Sequence, residues 1–341
     1  MRMIALLWTA VLMALPAVPK ADGCTSAVVG RGASLSGRTL LWKHRDTGAS
    51  SNFIDRVEKT DSTMAFVGLF NGGDTDRREV WAGFNSAGFA VINTATYNMQ
   101  PDTALFKDRE GVVMRRALEV CRTVEDFDSL LRHWPAPRGI QATFGVTDGN
   151  GDCAYFEVDD YRTFIYPLEA SYAIRTNYAF SGGKQRRYGR ERYAAAEHLL
   201  AREMSLKNGL APATFLDGLS RSFYHAPSGR SLIDGSEKSC ADRGEVIPRW
   251  SSTASVVIEG PVDGRPARMF VALGFPPVAG TVEVTLDSVP QILRPSSPEG
   301  EAPAFMEARQ RRDKCFFRRG KQRFFNLSAI RGYLNQKEEK K

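Results

Sequence analysis

The residue of this chain best placed to do chemistry is Cys24, which follows Ala21-Asp22-Gly23. Residues 1–23 read as a secretory signal. Arg2 stands near the start, an apolar run extends from Met3 to Val18, and the small residues Ala21 and Gly23 match a signal-peptidase cleavage pattern. Cleavage after Gly23 makes Cys24 the first residue. Its free α-amino group then titrates near ~8 and its thiol near ~8.5, so one residue supplies both nucleophile and proton acceptor. Other readings of Cys24 stand beside this one: a disulfide half, a buried small side chain, or the lipid-bearing anchor of a non-enzymatic envelope-binding protein. The position three residues before it, where a lipidation signal carries Leu, holds Ala21.

The elements around Cys24 decide what can reach it. Cys24–Gly30 and Thr39–Trp42 are apolar runs flanking a Gly/Ser-rich turn, which predicts a hairpin. Its second strand ends in Lys43-His44-Arg45-Asp46-Thr47, and antiparallel pairing lays that end beside the start of the first strand. Asp46, with Lys43 and Arg45, is therefore expected near the Cys24 amine and thiol; a polar strand end is the plainer alternative. Further on, Val80–Thr96 reads as two strands about the turn Asn85-Ser86-Ala87-Gly88. Asn93-Thr94 on the second strand is either a hydrogen-bonding plug in the core or an oxyanion donor. A conventional cysteine/histidine pair would draw on His44, His133, His198 or His225, but no local signature selects one.

Helical spacing over Gly111–Leu131 is broken by a capping sequence, Thr123-Val124-Glu125-Asp126. Strands follow at Ala142–Thr147 and Cys153–Val158 around a Gly/Asn turn, and Tyr172–Tyr178 runs apolar into Arg-Thr-Asn. Tyr188–Leu206 predicts a helix and 212–225 another; Ser228–Val246 reads as a long polar loop. Strands return at Ser252–Glu259, Ala267–Leu273 and Thr281–Val284. This alternation suits an α+β fold of antiparallel sheets covered by helices in layers, within one domain from 24 to 341.

The formal charge is +7, and Arg309–Lys341 is thick with Arg and Lys, which reads as a basic, solvated tail. No nucleic-acid motif accompanies it. After Val18 no apolar run approaches the roughly 18 residues of a membrane span, so a soluble mature protein is expected, periplasmic or extracellular. Besides Cys24 there are Cys121, Cys153, Cys240 and Cys315, and in an oxidising compartment one disulfide is expected, with Cys240 a candidate. Neither CxxC nor His-x-x-x-His occurs, and phosphate-loop and dinucleotide fingerprints are absent, so neither metal nor cofactor is expected.

Together these segments resemble the N-terminal-nucleophile hydrolases, and more closely the penicillin acyltransferase-like branch (acyl-CoA:6-aminopenicillanic acid acyltransferase), related to choloylglycine hydrolases and acid ceramidase. Cys24-Thr25-Ser26, the strand ending in Asp46, Gly83–Gly88 before Asn93, Val146-Thr147-Asp148 to Glu157, Thr176-Asn177 and Pro248–Ser252 carry the resemblance. It implies a four-layer αββα sandwich that attacks linear amide C–N bonds of a small N-acyl substrate, by hydrolysis or acyl transfer. Cys24 is then the nucleophile and Asp46 the carboxylate orienting its amine. Asn177 matches the asparagine near the oxyanion, Asn93 is a second candidate for it, and Arg249 is a late basic residue holding the site's charges. Lys43 stands where the relatives carry Arg, three residues before the aspartate, with Arg45 adjacent.

Overall fold

Two apolar runs at the front of the chain pair as a hairpin in the computed structural model, which describes residues 23–338 except 50, 101–102, 186 and 298. The signal-peptide reading of residues 1–22 lies outside the described residues. Strand β1 (Thr25–Val29) and strand β2 (Leu40–Asp46) are buried throughout, as central strands covered on both faces must be. Thr25 lies opposite His44 and Ser26 opposite Lys43, so Cys24 adjoins the end of β2, as the hairpin reading expects.

The chain then lays down β3 (Asn52–Val57), β4 (Phe66–Asn71), β5 (Ala82–Asn85) and β6 (Ala90–Ala95). Gly88, at φ +86°, makes the tight β5–β6 turn, a backbone conformation that side chains with a Cβ rarely adopt. Helices α1 (Glu110–Val120) and α2 (Val124–His133) follow. Thr123 caps α2 as its sequence predicts: its hydroxyl accepts from the Asp126 N–H while the Asp126 carboxylate accepts from the Thr123 N–H. Strands β7 (Ala142–Thr147), β8 (Cys153–Val158) and β9 (Thr163–Pro167) complete a seven-stranded antiparallel sheet in the order β3 to β9.

Strand β10 (Tyr172–Arg175) returns to the first sheet beside β1, and helix α3 (Arg190–Lys207) follows it. Of residues 212–225, 212–221 are helical as expected but irregular: the helix starts at Pro212, widens into a π turn (Thr214–Gly218) and ends in a 3-10 turn (Leu219–Arg221), and β11 (Tyr224–His225) then pairs with β12 (Arg230–Ser231). The polar loop contains β13 (Ser239–Ala241). Strands β14 (Ser252–Glu259), β15 (Arg268–Leu273) and β16 (Thr281–Thr285) close a six-stranded antiparallel sheet ordered β10-β1-β2-β14-β15-β16.

The two sheets stack face to face. Val28 and Leu41 pack with Ile92 and Tyr155 between them, and the Ser26 hydroxyl meets the Tyr155 hydroxyl at 3.0 Å. Leu118 of α1 and Phe127 of α2 cover the outer face of the larger sheet, Phe127 meeting the Phe144 and Phe156 rings edge-on. Ala196 and Leu200 of α3, with Phe215, cover Val29, Leu40 and Trp42 on the outer face of the smaller one. Helices, sheet, sheet, helices: this is the expected four-layer αββα arrangement.

Two expectations are corrected. The basic stretch from 309 is not a solvated tail. It folds as α4 (Pro303–Lys314), β17 (Phe316–Arg319), β18 (Gln322–Asn326) and α5 (Leu327–Glu338), because Phe305, Phe316, Phe325 and Ile330 bury an apolar face that the charge count concealed. The expected disulfide does not form, since all five cysteines are free. Cys240 on β13 faces Phe325 of β18, and β18 separates it from β17, next to Cys315. Two strand spacings span about 9.5 Å, beyond the ~7 Å Cα separation a disulfide bridges.

Trp42 ties β2 to the α3 side. Its ring lies 5.2 Å from Phe215, and its indole N–H is within hydrogen-bonding reach of the Ser255 and Ser220 hydroxyls, at 3.0 and 3.2 Å. Trp42→Ala should therefore cost about 3–5 kcal/mol in chemical denaturation, and Trp42→Phe, which keeps the ring contact, only about 1 kcal/mol.

Candidate active site

Strand β2 delivers four ionisable side chains in succession, and alternation sends them to opposite faces. Lys43 and Arg45 reach the larger sheet, whereas His44 and Asp46 face the α3 side. All four are nearly or fully buried. Buried polar groups of this kind persist only when hydrogen-bonded.

Asp46 has two partners from the start of β14. Its Oδ2 accepts from Arg249 Nε at 2.9 Å and its Oδ1 from the Ser252 hydroxyl at 2.5 Å. Ser252 gives its only hydrogen to Asp46, so it must accept from His44 Nε2, 2.9 Å away, and from the Arg249 backbone N–H. His44 is thereby the Nε2-protonated tautomer, a donor. Burial drives its pKa down to about 4, so it is neutral at pH 7.

Cys24 sits against this network. Its Sγ lies 3.9 Å from the Asp46 backbone carbonyl, and the preceding Gly23 carbonyl accepts from Arg249 Nη2 at 2.6 Å. Gly23 fits because it lacks a side chain: a Cβ there would collide with the Arg249 guanidinium and crowd Asn177 and Arg192. Arg192 of α3 donates to the Cys24 carbonyl at 2.7 Å, to Thr25 Oγ1 at 2.9 Å and to Asn177 Oδ1 at 2.6 Å. Burial, with Arg249 alongside, lowers its pKa to about 9, which leaves it charged at neutral pH. Arg192 fixes the Asn177 amide, because a flipped amide would set two donors face to face. One Asn177 Nδ2 hydrogen goes to the Ala95 carbonyl at 2.9 Å.

The structure thus brings Cys24, Asp46, Asn177 and Arg249 together and separates the other candidates. Asn93 Oδ1 accepts from Lys43 Nζ at 2.6 Å, and the Trp81 carbonyl accepts from the same ammonium, also at 2.6 Å. This is the plug reading of Asn93. Burial drives the Lys43 pKa down to about 7, opposed by the Cys24 charge. Arg45 is held by Asn52 and Asn71 and lies over the Trp81 ring. Among the other histidines, His133 bonds the Ser129 carbonyl, His198 stacks on Tyr224, and His225 lies between Ser228 and Glu245. Sequence reasoning missed Arg192 and Ser252. Arg192 stands among several helix arginines with nothing local to single it out, and Ser252 was visible only as part of a serine-rich strand start.

A cavity of about 1190 Å³ opens over Asn177, Arg192 and Arg249. Its wall includes Thr47, Tyr97, Tyr188 and Trp250, and it carries seven cationic side chains against three carboxylates.

Residues 78–208 match the model of the family described as acyl-coenzyme A:6-aminopenicillanic acid acyl-transferase. The matched segment contains Asn93, Asn177 and Arg192; Cys24, Asp46 and Arg249 lie outside it. A search of curated proteins found no match. Among solved structures, an N-acylethanolamine-hydrolyzing acid amidase ortholog of Caenorhabditis elegans aligns with TM-score 0.47 and 14% identity over 71% of this chain and 95% of that one. A variant of conjugated bile acid hydrolase from Clostridium perfringens aligns at 0.48 and 10%, over 78% and 95%. Penicillin V acylase from Agrobacterium tumefaciens aligns at 0.40 and 11%, over 78% and 87%.

The His44 geometry sets a pH dependence. Its folded pKa of about 4 lies below the ordinary 6.5, so between these values the unfolded chain binds more protons and stability rises with pH. That stability is present above pH 6.5 and is lost as pH falls toward 4. His44→Gln should flatten this part of the denaturation free energy measured against pH.

Proposed function

We propose that this protein is an exported N-terminal-cysteine hydrolase of linear amide C–N bonds, with acyl transfer as a second outcome of the same intermediate. The observation that supports this most is the convergence of Asp46, Asn177, Arg192 and Arg249, from four separate parts of the chain, on the Gly23–Cys24 junction. Signal peptidase, cutting after Gly23, leaves the Cys24 amine where the peptide nitrogen stood. Arg249 Nη2 then loses the Gly23 carbonyl and becomes free to meet substrate.

The Cys24 amine takes the thiol proton, and the thiolate attacks the carbonyl carbon of an N-acyl substrate. The second Asn177 Nδ2 hydrogen is the candidate donor to the resulting oxyanion. The ammonium returns its proton to the leaving nitrogen as the C–N bond breaks, leaving a thioester on Cys24. Water, deprotonated by the same amine, then releases the acid; an amine or thiol acceptor in its place receives the acyl group. The Asp46 carboxylate, held by Arg249 and Ser252, stabilises the ammonium form of the amine. Among the described residues no helix is long and apolar enough to cross a membrane.

The exported protein should have the mass of a chain beginning at an unmodified Cys24 and should hydrolyse small N-acyl amides. Cys24→Ala should reduce turnover at least about a thousandfold. Undiminished turnover in that variant rejects the mechanism, and a lipid on Cys24 removes the required amine.

A further inference from the structure

The cavity over Asn177, Arg192 and Arg249 has a charged rim supplied by parts of the chain outside the segment that matches the family. Hairpin β17–β18 and the end of α4 bring Lys321, Arg323 and Arg312 to it, and the polar loop adds Arg243. These groups are held in place. The Trp250 ring carries the Arg323 guanidinium at 3.8 Å and that of Arg312 at 4.1 Å, and Phe316 packs edge-on against it at 5.2 Å. Trp250 is the residue after Arg249, so the platform of the rim adjoins the arginine that grips Asp46. Strand β18 pairs with β13, and the Asp242 N–H donates to the Arg323 carbonyl at 2.9 Å, which locks the hairpin to the loop.

Glu191, Asp242 and Glu245 are the carboxylates of the cavity wall, and its seven cations outnumber them. Asp242 accepts from the Gly244 and Trp250 backbone N–H groups, and Glu245 lies 3.3 Å from His225. Arg312 meets Asp313, while Arg243, Lys321 and Arg323 make no ion pair among the described residues. Burial and repulsion from Arg318 and Arg312 lower the Arg323 pKa and outweigh the attraction of Asp242, as expected where cations outnumber acids. A hydrocarbon chain against this wall would desolvate guanidinium groups without compensation, so the wall suits the polar half of an amide.

We infer that the C-terminal hairpin completes the active-site cavity as an anion-binding rim, and that the substrate carries a carboxylate or phosphate on the polar part that reaches Arg312, Lys321 and Arg323. This rests on the amide-hydrolysis reading for the identity of the substrate, and the rim itself rests on the geometry alone. It gives the basic C-terminal segment a role in selecting substrate.

The test is equilibrium binding of three matched probes, N-decanoylglycine, N-decanoyl-O-phosphoethanolamine and neutral N-decanoylethanolamine. The exported protein, its Lys321→Gln variant and its Lys321→Gln/Arg323→Gln variant are compared at low and high salt, with product formation followed by mass spectrometry. At least one anionic probe should bind about tenfold more tightly than the neutral one, less so in high salt. The preference should shrink in the single variant and vanish in the double, with neutral binding unchanged; the preferred probe shows whether carboxylate or phosphate is taken. Equal binding of all three probes, binding of none, or a preference that survives the double variant overturns the inference. Anion preference without any product supports the rim and counts against the amide chemistry, whereas product without anion preference does the reverse.

Discussion

Lys43, His44, Arg45 and Asp46 are four consecutive ionisable side chains, and a strand that buries all four must find each a partner. Much of the architecture near the site meets that requirement. The larger sheet supplies Asn93 and the Trp81 carbonyl to Lys43, and Asn52 and Asn71 to Arg45. The start of β14 supplies Ser252 and Arg249 to His44 and Asp46. The two faces of one strand are thereby tied to different layers, so the end of β2 cannot shift without breaking contacts on both sides.

That rigidity has a chemical consequence. A buried carboxylate bonded to an arginine and a serine keeps its position, and the cysteine beside it inherits a defined environment. Arg192 extends the same network from the helix layer to Asn177, so a residue on α3 orients an amide at the end of β10. Toward solvent the charges continue: Arg249 leads to Trp250, and Trp250 carries the two guanidinium groups of the rim. Charge matched by partners at the floor gives way to an excess of cations at the mouth. That is the order expected where a ligand rather than the protein provides the last counter-ion.

Much of this was legible from residue order. The β1–β2 hairpin, the strands 142–147 and 153–158, the capped break between α1 and α2, and the late strands all carry local signals, because burial on one or both faces imposes a period on the sequence. Over residues 212–225 the expected helix forms only to 221 and winds irregularly, through a π turn into a 3-10 turn. The C-terminal elements were hidden. Their apolar residues are few and lie between many arginines and lysines, so composition reads as a solvated tail although Phe305, Phe316, Phe325 and Ile330 are buried.

By itself the sequence determined the layered α+β class, the identity of Cys24 as the candidate nucleophile, and the proximity of Asp46 to it, because a hairpin brings its two ends together whatever surrounds them. Only the tertiary structure decided that Arg192 and Ser252 belong to the site, that His44 is a donor rather than a base, and that Asn93 serves Lys43. Those assignments depend on which hydrogen each buried group gives and receives. That is settled between segments as much as two hundred residues apart, where no local pattern in the chain records it.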